Sequence, residues 1–277
     1  AQQARSVVNE SRPFFDDLVT ITRSMYGVGR KTQHDVLRAE LELSRLDDRL
    51  IQTSRARAEA QAALSRWVGQ DAYRPIAQKL PSWESVPMIE DLRGGLGSHP
   101  SLAAAQASIA AKETAVDIAE EKKKPDWALD LAYGYRDGFQ SDGTPRSDFV
   151  SLSVTVGLPF FGENRQDRKL AAALSEHRAA RYSQRELSAR LKSELDAEYA
   201  RWTDLTRRLA LYETQILEQS KGQAQAALLA YQSDIGDFSD VMRGYIDDLD
   251  IRLEHIRLQV ERAQSYAVIA NLGGLER

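Results

Sequence analysis

From Thr32 to Trp67 the chain carries neither Gly nor Pro, and Val36, Leu43, Leu46, Leu50, Ala60, Ala63, Leu64 and Trp67 recur in mixed steps of three and four. That spacing keeps one helical face apolar and predicts a long helix. Breakers then crowd together at Gly69, Pro75, Pro81, Pro87, Gly94, Gly95, Gly97 and Pro100, which predicts an irregular connector over residues 69–100. A helical pattern resumes at Ser101 and stops at Pro125, because proline disfavours helical backbone in the residue before it.

After Pro125 the period changes to two. Trp127, Leu129, Leu131, Tyr133 and Tyr135 alternate with Ala128, Asp130, Ala132, Gly134 and Arg136. Beyond a polar, glycine-containing segment, Val150, Leu152, Val154, Val156 and Leu158 alternate with Ser151, Ser153, Thr155 and Gly157. Two strands of about eleven residues joined by a loop make a hairpin. The strand length and alternation suit a membrane barrel, and equally a strand pair covering a soluble core.

From Gly162 a helical pattern without proline runs to about Tyr231, and Tyr199, Trp202, Leu205, Leu209, Tyr212 and Ile216 step by threes and fours. At about 1.5 Å per residue such a helix spans on the order of 100 Å, a length typical of coiled coils and tubes. A last helix runs from about Phe238 to Leu272 and ends at Gly273-Gly274. The fold class that follows is mainly α: long antiparallel helical hairpins of α-barrel protomer type, with one β-hairpin of transmembrane-barrel character. The expected segments are a partial first hairpin (1–68), an equatorial connector (69–100), a helix (101–125), the β-hairpin (126–159) and a second long helical hairpin (160–274).

Composition narrows the function. The 277 residues include 28% charged side chains with a formal net charge of −4, which argues against a nucleic-acid binder. There is no cysteine, so disulfides and thiolate chemistry are excluded. No run approaches the 18 apolar residues of a membrane helix, a test that leaves short barrel strands untouched.

The chain also repeats itself. Sliding YGVGRKTQHDVLRAE by 205 positions places Tyr26 on Tyr231, Asp35 on Asp240, Val36 on Val241 and Arg38 on Arg243. Thr32 with Asp35, and Asp237 with Asp240, each have the spacing of a capping box at a helix start. Each copy therefore reads as the tip of a helical hairpin, and two similar tips indicate an internal duplication.

These tips (Tyr26, Gly29, Asp35-Val36-Leu37; Tyr231, Gly236, Asp240-Val241-Met242), the strand ending VGLPFFGENRQ and the helix opening HPSLAAAQASIAAKE together resemble the TolC-type outer membrane efflux proteins. LPFFGENRQ is most similar to their heavy-metal (CzcC- and CusC-like) branch. The resemblance implies a homotrimeric conduit with a β-barrel in outer membrane lipid and a periplasmic helical tube in a Gram-negative bacterium. Its implied partners are a periplasmic adaptor and an inner-membrane RND-type pump, with export of metal ions or small toxic compounds and no catalysis. One strand hairpin precedes Tyr231 by 104 residues, whereas only 25 residues precede Tyr26. The first strand hairpin of the expected pair is therefore absent, as in the C-terminal part of a longer protein.

By the same resemblance, Asp240 matches a pore-facing aspartate, and a second such aspartate is replaced by Arg243. Asp35 and Tyr231 match positions that tether neighbouring helices; the arginine that would join them falls on Gly236, leaving Arg30, Lys31 or Arg243 as substitutes. Tyr26, Gly29 and Gly236 match tip positions near the adaptor contact. Plain capping and turn-forming roles for Asp35, Asp240 and the glycines stand beside these readings.

No other chemistry emerges. His34, His99, His177 and His255 are scattered without metal-ligand spacing, so no metal or cofactor is expected. GGLG at Gly94 follows no strand and lacks the lysine of a phosphate loop. No nucleophile–base constellation is visible, so no enzyme is expected. The alternative to a conduit is a non-transporting helical scaffold or coiled-coil adaptor.

Overall fold

The computed structural model describes residues 1–75, 83, 85–158, 160 and 165–274. Pro81 of the connector, and Pro159 and residues 161–164 of the LPFFGENRQ motif, lie outside the described residues. The helices are α1 (Gln2–Gly27), α2 (Gln33–Val68), α3 (Ile89–Gly95), α4 (Pro100–Glu121), α5 (Gln166–Leu211), α6 (Leu217–Gln232) and α7 (Phe238–Gly273). One turn of π-helix, Tyr212–Ile216, joins α5 to α6. The strands are β1 (Asp126–Gly134) and β2 (Phe149–Gly157). The chain divides into two compact units, one built on Ala1–Leu92 with Leu195–Asn271, the other on Arg93–Glu194 with Leu272–Gly274.

In the first unit, α1 and α2 form one helical hairpin, and α6 and α7 form another. Their apolar stripes meet in a shared core of Val8, Phe15, Leu18 and Val19 from α1, Ala39 and Leu46 from α2, Tyr231 from α6, and Phe238, Val241, Met242 and Leu249 from α7. Phe14 stacks on Tyr245 with ring centroids 3.5 Å apart. Ion pairs edge this core: Arg12–Asp47 at 2.8 Å, Arg49–Asp250 at 2.7 Å and Arg252–Glu10 at 3.0 Å. A second cluster joins Leu205 and Leu209 of α5 to Leu258 of α7, with Tyr212 against it.

The sequence pattern of α2 needs correcting. Leu43, Leu46 and Leu50 face the core as expected and Val36 is half-buried, but Ala60, Ala63, Leu64 and Trp67 are exposed. The helical period is right along the whole element. Periodicity identifies which residues share a face, and only a neighbour decides whether that face is covered.

In the second unit, β1 and β2 pair antiparallel, and the register settles the two faces. Trp127 lies opposite Val156, Leu129 opposite Val154, Leu131 opposite Leu152 and Tyr133 opposite Val150, all on one face. Ala128–Thr155, Asp130–Ser153 and Ala132–Ser151 form the other. The strands are nine residues each, so Tyr135, Arg136 and Leu158 fall beyond them. Gly134 faces Phe149 and Gly157 faces Asp126, and a Cβ at either glycine would collide with that side chain. The apolar face is open to its surroundings, with Trp127 76% exposed. Among the described residues, no helix is long and apolar enough to cross a membrane.

Candidate functional site at the helical tips

The first tip forms because α1 runs into a residue that can turn left-handed. Gly29 has φ +76°, its N–H donates to the Tyr26 carbonyl at 2.9 Å, and the Arg30 N–H donates to the Met25 carbonyl at 2.9 Å. The second tip repeats those bonds in the same places. Asp234 has φ +57°, its N–H donates to the Tyr231 carbonyl at 3.1 Å, and the Ile235 N–H donates to the Ala230 carbonyl at 3.0 Å. The 205-residue duplication thus survives bond by bond, but it pairs Gly29 with Asp234. Gly236, which the sequence reading set beside Gly29, occupies the place of Lys31 and has no positive φ. It answers a different need: a Cβ there would lie 3.0 Å from the Ala230 Cβ and 3.2 Å from the Tyr231 nitrogen. Asp234 holds the left-handed turn because aspartate tolerates it better than most side chains.

The two helix starts also differ. Asp35 and Thr32 close the full capping box: the Thr32 N–H donates to the Asp35 carboxylate at 3.1 Å, and the Asp35 N–H donates to the Thr32 hydroxyl at 3.4 Å. The second box does not form. The Asp240 N–H donates to the Asp237 carbonyl at 3.1 Å, and the Asp240 carboxylate instead faces Arg243 at 3.6 Å on the solvent side. Thr32 offers a short hydroxyl that donates to Asp35 and accepts from it, whereas two ionised carboxylates at positions 237 and 240 repel.

Between the tips, one cation does the joining. Lys31 extends from the first tip to the second, its Nζ 4.4 Å from the centre of the Tyr231 ring and 3.1 Å from Asp234 Oδ1. Among the three candidate cations, Arg30 is exposed without such a contact and Arg243 stays on its own helix. Further up, Arg38 donates to the Ser239 hydroxyl at 2.7 Å. Tyr231 is fully buried, while its repeat partner Tyr26 is 48% exposed. The Tyr231 hydroxyl faces the Thr22 hydroxyl outside good hydrogen-bonding geometry, and Thr22 spends its own proton on the Leu18 carbonyl at 2.6 Å. Burial first, and then the negative charges of Asp35 and Asp234, push the Tyr231 phenol up to about 12.

The structure therefore brings Tyr231, Lys31 and Asp234 into contact, with Asp35 acting on Tyr231 only through its field. Asp240 and Arg243 form a separate exposed pair, and Tyr26 and Gly29 are not part of either group. Sequence reasoning missed Asp234, and it missed two apolar residues that stand out at the tips, Val28 at 71% and Ile235 at 86% exposure. Carrying the same 205-residue offset through to Gly29 would have pointed to Asp234. Among the described residues, no group of three or more His, Asp or Glu could hold a metal ion.

Residues 95–274 match the family model described as outer membrane efflux protein. The chain belongs to that family. It is 27% identical over 292 residues to Protein CyaE of Bordetella pertussis, a match that covers 100% of this chain and 60% of that protein. Among solved structures, the outer membrane protein VceC of Vibrio cholerae superposes with a TM-score of 0.85 at 21% identity, covering 98% of this chain and 66% of that one. A membrane protein from Pseudomonas aeruginosa gives 0.89 at 15% identity, covering 98% and 62%. CusC gives 0.83 at 15% identity, covering 97% and 65%. The chain thus spans less than two thirds of the length of these proteins. At such identities the superpositions establish the fold: long helical hairpins with a small antiparallel β-hairpin, as in the protomers of these outer membrane proteins. CusC is no closer than VceC, so the heavy-metal branch is not singled out.

Proposed function

We propose that the protein carrying this chain is the outer membrane component of a tripartite efflux system, a passive homotrimeric conduit with no catalytic role. It exports metal ions or small toxic compounds and works with a periplasmic adaptor and an inner-membrane RND-type pump. The observation that carries this reading, in a chain of this family, is the β-hairpin. Its apolar face is exposed along its whole length, with aromatics at Trp127 and Tyr133 bracketing aliphatic residues, while the other face is small or polar apart from Phe149 over Gly134. That is the pattern of strands with lipid on one side and water on the other. A strand pair covering a soluble core would bury one face.

The tips are proposed as the gate, with Asp240 and Arg243 lining the pore and Lys31, Tyr231 and Asp234 as the latch between hairpins. Asp35 caps the first tip and adds negative potential to it. Exposed Val28 and Ile235, beside Tyr26, Gly29 and Gly236, are the proposed adaptor-facing positions. The test is site-directed labelling of the full-length protein in a bilayer. Labels at Leu131 and Val154 are expected in lipid and a label at Ser153 in water, with ion conductance across the membrane. All three labels in water, with no conductance, would leave a helical scaffold and remove the conduit.

A further inference from the structure

We propose that the cleft at the base of the β-hairpin, between the end of α4 and the start of α5, binds one anionic phospholipid. The proposal rests on the reading of the hairpin as membrane-facing, and it adds a lipid site that the conduit reading does not require.

The cleft has a volume of about 720 Å³. That is within the range of about 300–1,000 Å³ usual for small-molecule sites. One wall is apolar and exposed: Ile118, Pro125 and Leu158, the last continuing straight from β2. An acyl chain leaving the cleft along this wall meets the apolar face of the hairpin without crossing a polar step.

The rim carries the charge. Six basic residues flank the hairpin base: Lys122, Lys123, Lys124, Arg165, Arg168 and Lys169. Two are committed, Lys123 to Asp167 at 2.7 Å and Lys124 to Glu121 at 2.5 Å. Of those lining the cleft, Lys122, Arg165 and Lys169 form no ion pair among the described residues; of the described acids that line it, Glu121 is held by Lys124, which leaves Asp117 and Asp126. Counted over the described residues, the uncommitted rim is therefore cationic by one charge, in a chain whose net charge is −4. One phosphodiester balances it. The zwitterionic heads, phosphatidylcholine among them, leave it unbalanced.

The test uses the full-length protein in detergent, with bound lipid counted by native mass spectrometry at equimolar phosphatidylglycerol and phosphatidylcholine. Wild type is expected to retain phosphatidylglycerol at least fivefold in preference. Lys122→Gln, Arg165→Gln and Lys169→Gln combined should bring the preference close to one, with helicity unchanged by circular dichroism. Lys112→Gln, whose lysine pairs with Glu176 elsewhere in the unit, should leave it intact. Equal retention of both lipids by wild type, or full preference in the triple variant, overturns the proposal. So does displacement of the lipid by millimolar inorganic phosphate, which would make the cleft a small-anion site. The two readings fail separately: labels at Leu131 and Val154 found in lipid without any headgroup preference sink only the lipid site.

Discussion

Tyr231 shows how one residue can be placed by packing and left incomplete by it. Its ring fills the core between the hairpins and carries the Lys31 charge on its face, an interaction worth about 0.5–2 kcal/mol. Its hydroxyl makes no good hydrogen bond. Tyr231→Phe keeps the ring and removes the orphan, so it should leave thermal stability unchanged or raise it by up to about 1 kcal/mol in a melting experiment. The same group sets an alkaline limit. Its folded pKa is raised from 10.0 to about 12, so its stabilising contribution is complete below pH 10 and is lost as pH rises from 10 towards 12. Melting temperature should fall across that window, and the fall should shrink in Tyr231→Phe. The caps make a second contrast. Thr32→Ala breaks a formed box and should cost about 1 kcal/mol, seen as faster amide exchange at the start of α2. Asp237→Ala removes a side chain that makes no capping bond, and should change the start of α7 by less than about 0.5 kcal/mol.

Two elements can approach only as closely as their smallest residues permit. Gly244 of α7 packs against Ala224 of α6, and a Cβ at 244 would lie 3.1 Å from the Ala224 Cα. The obstacle is backbone, which cannot swing aside. Gly244→Ala should therefore cost about 1–3 kcal/mol by overpacking, although alanine is the better helix former. Chemical denaturation would read the loss; a stabilised protein would show that the helices separate freely. The same repeat position in the first hairpin holds buried Ala39, so the two hairpins are not interchangeable in spacing. The π-turn at Tyr212–Ile216 is the other element-level departure. The three-and-four pattern through Tyr212 and Ile216 reads as uninterrupted α-helix, and the widened turn is visible only in the backbone.

For the whole molecule, the sharpest consequence is the division of labour at the tips. Lys31 ties one hairpin to the other, whereas Asp240 faces outward with Arg243. In the full-length protein in a planar bilayer, Lys31→Gln should loosen the latch and raise the frequency or duration of openings. Asp240→Ala should leave opening nearly unchanged and alter cation preference or block by multivalent cations. The reverse assignment of effects would refute the proposed latch and pore roles.

The sequence by itself determined the periods: where the chain is helical, where it alternates, and that a piece near Tyr26 recurs near Tyr231. These are local properties, set by backbone sterics and by which side chains share a face, so a linear reading reaches them. It also carried the motifs that point to the efflux-protein family. Tertiary structure alone decided which equivalent positions diverge. Tyr231 is buried and Tyr26 exposed because Lys31, Thr22 and the α1 stripe close over one and not the other. Half of the α2 stripe is covered and half open because burial needs a neighbour, and the pattern of a single helix does not contain one. Asp234 and Lys31 met for the same reason: they are some two hundred residues apart in the chain and 3.1 Å apart in the fold.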